Sequence, residues 1–284
     1  MAHEHGHHQP GTHQHGHHRH GHDQPGQLAE MLDLDAEVLR DYYDEVIGWA
    51  AAAAPDRPRV VDLGAGTGTG TLALARHLPG AALTAVDVDE DMLARLRRRA
   101  TEAGCGERVR TVRADLDGDW PQLGPADLVW ASASMHHLAD PAAALTRVRD
   151  VLRPGGAVVI SELDGFPRFL TDPAGSALED RCQAELARLR REAGMHMGED
   201  WGARLRAAGF ELEGARRFAI ELRPPLGAAA LRYAQVTLQR TRDRLGDRLG
   251  GAELAALDAI VAGLPGRDDL TVRATRDVWI GRRG

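Results

Sequence analysis

Apolar residues recur along this chain with two different spacings. Between positions 28 and 54 they lie three and four residues apart, which predicts amphipathic helices. Between positions 57 and 163, short apolar runs rich in β-branched residues alternate with helical stretches. This alternation is typical of a parallel sheet whose strands are joined by right-handed helical crossovers. The pattern therefore predicts an α/β fold in which helices precede the sheet along the chain.

The same periodicity divides the chain into seven strands and the helices between them. The predicted strands cover residues 59–63, 82–86, 108–113, 126–131, 157–161, 210–222 and 270–280. The predicted helices from the sheet onward cover residues 69–78, 90–103, 141–152, 176–193, 199–208, 228–249 and 252–263. The Pro-Gly-Gly sequence at 154–156 is expected to end the helix before it. The last two helices lie between the last two strands, an insertion that predicts a lid or a dimer surface.

A glycine-rich turn follows the first strand. In RVVDLGAGTGTG, residues 59–70, the glycines at 64, 66 and 68 lack Cβ atoms, so the backbone can take positive φ and approach a ligand closely. The N-terminus of the next helix, which favours anions and polar ligands, is close by. Dinucleotide-binding turns have the spacing G-x-G-x-x-G, whereas this turn has G-x-G-x-G. The spacing therefore disfavours a dinucleotide as the ligand.

Three aspartates complete this pattern. Asp62 precedes the turn, Asp87 follows the second strand and Asp115 follows the third. Together with the glycine spacing they resemble the class I S-adenosylmethionine-dependent methyltransferases, and the resemblance covers residues 57–162. It implies a Rossmann-like, doubly wound and mostly parallel sheet of about seven strands, with S-adenosylmethionine as the cofactor. A nicotinamide-dependent oxidoreductase on a similar sheet is the alternative enzyme.

The resemblance places the cofactor contacts at the ends of the first four strands. Asp87 would accept hydrogen bonds from the ribose hydroxyls, and Asp115 would hold the adenine amino group. The backbone at the end of the fourth strand would approach the methionine part. The predicted cofactor-binding residues are Asp62, Gly64, Ala65, Gly66, Thr67, Gly68, Asp87, Val88, Met92, Asp115, Leu116, Ala131 and Ser132.

Histidines follow the fourth strand in the sequence Met-His-His-Leu, residues 135–138. A neutral histidine there could take a proton from an oxygen or nitrogen acceptor, because its unperturbed pKa of about 6.5 lies near the working pH. The candidate bases are His137, His136 and, between two methionines further along, His196. Building the cleft, without proton transfer, is the alternative role for the pair at 136 and 137.

Acceptor contacts are expected from loops and lid segments at the carboxyl edge of the sheet, where such scaffolds vary in specificity. Ordinary packing is the alternative role for each side chain. Several aromatic members suggest a moderately hydrophobic acceptor. The predicted substrate-binding residues are Tyr42, Tyr43, Glu162, Asp164, Phe166, Phe169, Met197 and Trp201.

The resemblance also divides the chain into parts. Residues 1–26 hold ten of the fourteen histidines and almost nothing apolar, so we expect a disordered tail. Residues 27–284 would form the methyltransferase domain. Within it, residues 27–56 would supply lid helices, 57–163 the cofactor-binding core and 164–284 the acceptor-binding half with its inserted helices.

The histidine-rich tail allows a different class of function. Neutral imidazoles chelate divalent metals, so the tail could bind them incidentally, or the protein could bind and deliver metal. Elsewhere no metal site is predicted, because Cys105 and Cys182 lack the spacing of zinc ligands. The same two cysteines suggest no disulfide framework and fit a reducing cytoplasm.

Charge narrows the range of partners. The net charge is −7 with acids and bases interspersed, so no basic stripe indicates nucleic acid and no basic amphipathic helix indicates a membrane. A small-molecule acceptor is the expected partner, and the inserted helices could also serve a homodimer. The sequence therefore predicts methyl transfer from S-adenosylmethionine to a nucleophilic oxygen, nitrogen or carbon atom of a small molecule.

Overall fold

The structure is a computed structural model that describes residues 25–284. The predictions of disorder and metal binding for the histidine-rich tail therefore lie outside the described residues, apart from its last two positions. Pro25 and Gly26 belong to the first helix, α1 (Pro25–Val38). Helix α1 thus begins two residues before the predicted start of the domain.

Seven strands form one sheet, as predicted. In chain order they are β1 (Arg59–Leu63), β2 (Ala82–Asp87), β3 (Val109–Arg113), β4 (Ala126–Ser132), β5 (Leu152–Leu163), β6 (Phe210–Leu222) and β7 (Val272–Arg283). Their order across the sheet is β3-β2-β1-β4-β5-β7-β6. The first five strands pair in parallel, and β7 runs antiparallel to both of its neighbours. This confirms the mostly parallel, doubly wound sheet.

Eight further helices follow α1. They are α2 (Arg40–Ala52), α3 (Thr69–His77), α4 (Glu90–Glu102), α5 (Pro141–Val151), α6 (Pro173–Glu192), α7 (Trp201–Ala207), α8 (Ala228–Arg244) and α9 (Gly251–Gly263). The helical pattern of residues 28–54 is interrupted at Leu39, where φ is −97° and ψ is 26°. Leu39 is buried, so the break turns α2 inward against the core.

The Pro-Gly-Gly segment differs from its prediction. Helix α5 ends at Val151, three residues earlier than that segment, and β5 begins at once with Leu152. Leu152 is 1% exposed and pairs with Ala126, whereas the next recorded partners are Leu128 and Ala157. The segment therefore forms a bulge within β5, because the burial of Leu152 starts the strand before the glycines.

The central strands are covered on both faces. Residues of β1, β4 and β5 are buried almost without interruption, as expected for parallel strands between two helical layers. Alternate side chains of β4 point to opposite faces. Trp130 belongs to a core cluster that includes residues of α2, α3 and α8, and Ala131 belongs to a second cluster that includes residues of α5 and α7. Both layers leave the carboxyl ends of β1, β2 and β4 together at one edge.

A buried polar cluster joins α1 to the sheet. Asp35 on α1 accepts hydrogen bonds from the hydroxyls of Tyr43, at 2.9 Å, and Tyr233. It also pairs with Arg276 of β7 at 3.1 Å, and that arginine is 4% exposed. We call these four residues the Asp35 cluster. Helix α8, which carries Tyr233, packs along α1, and α9 packs against α8.

Within residues 25–284, no helix is long and apolar enough to cross a membrane.

Candidate active site

The glycine turn between β1 and α3 uses the conformational freedom of all three glycines. Gly64, Gly66 and Gly68 have φ values of 70°, 53° and 91°. A Cβ at position 64 would lie 2.4 Å from the Cβ of Ser134, and one at position 68 would lie 2.5 Å from the Cγ of Leu96. Larger residues there would displace the neighbouring loop and helix, so the turn needs glycine.

Asp87 lies beside this turn at the end of β2. Its Oδ2 accepts the N–H of Gly66 at 2.7 Å, and its Oδ1 accepts the N–H of Asp89 at 2.9 Å. Each carboxylate oxygen has a second lone pair, so both can still accept from a ligand hydroxyl. The next residue, Val88, is 57% exposed and is the one large apolar side chain among residues 25–284 that is mostly exposed. An acid and an exposed apolar surface side by side fit the ribose and the adenine of an adenosyl group.

The end of β3 lies next to Asp87. The N–H of Ala114 donates to the carbonyl oxygen of Asp87 at 3.0 Å, which brings Asp115 to the same edge. Asp115 is exposed and accepts the N–H of Asp117 at 3.0 Å. Leu116 is half-buried, and its carbonyl accepts the indole N–H of Trp120 at 2.9 Å. Asp115 and Leu116 thus follow the strand next to Asp87, and their contact with adenine stays a prediction. Met92 is buried, at 7% exposure.

Asp62 is buried beneath the turn. Its side chain is 2% exposed, and the hydroxyl of Thr71 donates to its Oδ2 at 2.6 Å. The pKa of Asp62 is raised to about 7, because burial disfavours the charged form and the negative charge of Asp87 adds to that shift, while the hydrogen bond from Thr71 opposes it. The carboxyl of Asp62 therefore keeps its proton to a higher pH than an exposed carboxyl does.

Asp62 is expected to make stability fall as the pH rises. The unfolded chain ionises this carboxyl near its ordinary pKa of about 3.9, whereas the folded chain holds the proton until about pH 7. Between these values the folded state binds more protons, so its stabilisation decreases with rising pH and is lost through about 7. Asp62→Asn should flatten this dependence in urea unfolding at about pH 5 and about pH 8. If the wild type and Asp62→Asn lost the same stability between about pH 5 and about pH 8, this prediction would be wrong.

The end of β4 contains a strained residue that sequence reasoning missed. Ala133 has a φ of 53°, uncommon for a residue with a side chain, and its N–H donates to the carbonyl of Ser161 at 2.8 Å. The hydroxyl of Ser134 donates to the carbonyl of Leu63 at 2.8 Å, which holds this loop against the glycine turn. Ala131 is buried and Ser132 half-buried just before it. Strain of this kind clusters at functional sites.

The structure brings the three candidate histidines together. His136 is 4% exposed, and its Nδ1 lies 2.5 Å from Oε2 of Glu162, which is equally buried. The exposed ring of His137 lies 4.2 Å from that of His136, centroid to centroid. The N–H of His196 donates to the carbonyl of His136 at 2.9 Å, and its Nδ1 lies 2.6 Å from Oε1 of Glu199.

Glu162 orients the ring of His136. An ionised carboxylate only accepts hydrogen bonds, so beside an ionised Glu162 the bonded Nδ1 is the donor and Nε2 is the ring nitrogen left for other partners. Glu162 Oε1 also accepts the N–H of Met135 at 3.0 Å, which holds the carboxylate in place. Glu162, predicted as a substrate-binding residue, thus contacts a candidate base in this structure.

The two tyrosines of α2 point into the polar interior. The hydroxyl of Tyr42 lies 2.7 Å from Oγ of Ser161 near the end of β5, and its side chain is 6% exposed. Burial raises the pKa of Tyr42 to about 12, so the hydroxyl keeps its proton at neutral pH. Tyr43 belongs to the Asp35 cluster. Both lie beside the carboxyl edge of the sheet, and direct acceptor contacts stay a prediction.

The remaining predicted substrate-binding residues differ in their exposure. Phe169 and Trp201 are completely buried, Phe169 edge-on to Tyr233 and Trp201 within the layer of α5 and α7. Phe166 and Met197 are half-buried, and Asp164 is exposed. Phe166, Met197 and Asp164 therefore keep surface for a ligand.

Helix α1 lies over the glycine turn. A Cβ at Gly66 would be 3.5 Å from Cδ1 of Leu32 on α1. Asp33 pairs with Arg95 and, at 2.5 Å, with Arg99 of α4, and Arg99 also donates to the carbonyl of Thr67 at 2.9 Å. These ion pairs join α1 to α4, and the hydrogen bond of Arg99 joins α4 to the turn. The sequence contained no local signal for these pairs, because the partners are more than sixty residues apart.

Comparison with protein families identifies one matching segment. A family profile described as "Methyltransferase domain" matches residues 60–156. This segment contains the glycine turn, Asp87 and Asp115. It also contains residues 135–138, which carry His136 and His137 and which we call the histidine loop.

Curated relatives cover part of the chain. The 27-O-demethylrifamycin SV methyltransferase of Amycolatopsis mediterranei is 29% identical over 196 residues, which are 67% of this chain and 66% of that protein. The chain spans 23% to 66% of the length of the first curated relatives that it matches.

Solved structures share the fold. A geranyl diphosphate methyltransferase in complex with S-adenosylmethionine aligns with a TM-score of 0.53 at 14% identity, covering 93% of this chain and 92% of the other. A methyltransferase from Geobacter sulfurreducens in complex with S-adenosylhomocysteine aligns with a TM-score of 0.50 at 21% identity, covering 86% and 91%. These similarities are similarities of fold.

Proposed function

Because the core of this chain is a class I S-adenosylmethionine-dependent methyltransferase domain, we propose that the protein transfers a methyl group to a nucleophilic oxygen, nitrogen or carbon atom of a small molecule. One observation carries the proposal. The carboxylate of Asp87 and the exposed side chain of Val88 lie beside a turn of three glycines with positive φ. The nicotinamide-dependent alternative gains no support from the comparisons.

The residues of the turn fit the cofactor. Asp87 would hold the ribose, Val88 would contact the adenine, and the backbone around Gly64 and Ser134 would border the methionine part. The bound cofactor supplies an electrophilic methyl group. The protein therefore has to hold the acceptor in line with that group and exclude water, and orientation of this kind is worth about 7–11 kcal/mol.

Where the acceptor must lose a proton, a histidine of the histidine loop would remove it. Glu162 holds Nδ1 of His136, which leaves Nε2 to take a proton when the ring is neutral, an arrangement typical of an oriented general base. His137 and His196 lie next to it and remain candidates for the same role. An amine acceptor would need little help, whereas an aliphatic hydroxyl would need one of these imidazoles.

The assignment of Asp87 can be tested by binding. Asp87→Asn removes the charge and one acceptor oxygen, so we expect the affinity for S-adenosylhomocysteine to fall by about tenfold to a hundredfold. Isothermal titration calorimetry measures this directly. The control is Asp89→Asn, the same change two residues away, where the side chain caps α4 and asparagine also serves as a cap. Equal affinities in the two variants would refute the ribose-binding role of Asp87.

Location and assembly are further parts of the proposal. A cytoplasmic location is supported by the free thiols of Cys105 and Cys182, both of which are buried. Helix α9 is rich in apolar residues, of which only Leu257 is fully buried, and this supports a homodimer through that helix. The histidine-rich tail would be an accessory to methyl transfer, and deleting residues 1–24 should leave the binding of S-adenosylhomocysteine unchanged.

A further inference from the structure

Arg190 is a buried cation near the C-terminal end of α6. It is 6% exposed, and its guanidinium carbon lies 3.9 Å from the centroid of the Phe166 ring. Among residues 25–284, no aspartate or glutamate forms an ion pair with it. Arg276, the other buried arginine, has Asp35 as its partner. Arg190 therefore lacks the counter-charge that its burial calls for.

Burial without a counter-ion is unfavourable for a guanidinium. The face of Phe166 offsets part of this cost through a cation–π interaction. Burial lowers the pKa of Arg190 to about 10, with a smaller contribution from the positive charge of Arg244. The group therefore stays charged at neutral pH. An incoming anion would supply the missing partner.

Two backbone hydrogen bonds connect Arg190 to the candidate active site. Its carbonyl accepts the N–H of Met195 at 2.9 Å, and the next residue, His196, donates its N–H to the carbonyl of His136 at 2.9 Å. Phe166 lies three residues beyond the end of β5, at the carboxyl edge of the sheet. Arg190 thus contacts two segments, at Phe166 and Met195, and both segments also contact the histidine loop, through Glu162 and His196.

We propose that Arg190 binds an anionic group, a carboxylate or a phosphate, of the methyl acceptor while Phe166 packs against the acceptor's body. The inference rests on the proposed methyl transfer, since it names the class of acceptor. A planar guanidinium donates two parallel hydrogen bonds to either kind of anion. An exposed arginine, Arg244, adds positive charge on the same side.

The test uses small aromatic probes and the full chain. Benzoate, phenyl phosphate and the uncharged benzamide are titrated calorimetrically into the wild type, Arg190→Gln and Arg191→Gln. Arg191 is the exposed neighbour on the same helix, so its variant carries the same change of charge. We expect benzoate or phenyl phosphate, but not benzamide, to bind. Arg190→Gln should weaken that binding by at least about tenfold, the change for one charge-assisted hydrogen bond, and Arg191→Gln should not.

The preference between benzoate and phenyl phosphate identifies the anionic group. Equal binding by the wild type and Arg190→Gln, or binding of benzamide as strong as that of benzoate, would overturn the proposal. So would failure of both anions to bind the wild type.

A stability measurement separates ligand binding from packing. Replacing an unpaired buried charge with an apolar side chain is expected to be neutral or stabilising, so Arg190→Met should keep or raise the Tm while anion binding is lost. A lower Tm with unchanged anion binding would make Arg190 a packing residue. S-adenosylhomocysteine is titrated in parallel. Its failure to bind the wild type would count against methyl transfer and leave the anion result standing.

Discussion

The Gly66→Val variant is expected to lose affinity for S-adenosylhomocysteine by about a thousandfold, or about 4 kcal/mol. Gly66 has a φ of 53°, and its Cβ position faces the space between the turn and α1, 3.5 Å from Leu32. A valine would branch from the turn toward α1, on the side where the proposed cofactor would lie. It would also strain a backbone conformation that β-branched residues rarely adopt. Calorimetric titration of the purified variant gives the affinity.

Gly104→Val is the matched control for backbone strain. Gly104 follows α4, has a φ of 69°, and a Cβ there would meet no atom within 4 Å. The same substitution in the same left-handed conformation should lower stability and leave the affinity unchanged. If Gly66→Val and Gly104→Val both bound like the wild type, the cofactor would have to lie away from the turn.

Asp35→Ala is expected to lower the free energy of unfolding by about 3–5 kcal/mol, the usual cost of removing one partner from a buried ion pair. Arg276 would keep its charge at 4% exposure with no carboxylate beside it, and the hydroxyls of Tyr43 and Tyr233 would lose their acceptor. Urea unfolding measures the change. Because the Asp35 cluster joins α1 to β7 and α8, the loss should also loosen the helix that covers the glycine turn.

Asp33→Ala provides the comparison on the same helix. Asp33 pairs with Arg95 and Arg99, whose side chains are 38% and 27% exposed, and pairs that water reaches contribute about 1 kcal/mol or less. The two variants remove the same group two residues apart. If Asp35→Ala lowered the free energy of unfolding no more than Asp33→Ala, burial would not explain how much the Asp35 cluster stabilises the fold.

The sheet was predictable because its signal is local. The strand at residues 59–63 is bounded by Pro58 and Gly64, and its apolar run is buried on both faces in the structure. Each βα unit repeats that pattern, and a mostly parallel sheet joined by right-handed crossovers follows from the repetition. The break at Leu39 and the bulge at 154–156 were missed because they depend on which side chain the core buries. Burial is a tertiary property that helical spacing does not contain.

The candidate site was predictable where its residues directly follow strands, and not where it depends on contacts between distant parts of the chain. The glycines and Asp87 stand directly after strands, so their position in the chain fixes their place at the sheet edge. The bond between His136 and Glu162 joins residues 26 positions apart, and nothing in either local pattern indicates it. In the sequence, Arg190 is one of several charged residues on a polar helix, and only the packing of α6 shows that it is buried.

The strain at Ala133 was equally hidden. Its φ of 53° occurs beside the close approach of Ser134 to Gly64, which is a contact between two loops. A left-handed alanine has no signature in the sequence, since asparagine, aspartate or glycine is the usual residue there.

A crystal structure of the full chain with S-adenosylhomocysteine would show whether the glycine turn holds the cofactor. We expect ribose hydroxyls within hydrogen-bonding distance of the Asp87 carboxylate, the adenine against Val88, and the sulfur beside the loop that carries Ser134 and His136. A ligand bound away from the glycine turn, with Asp87 contacting only Gly66 and Asp89, would contradict this expectation.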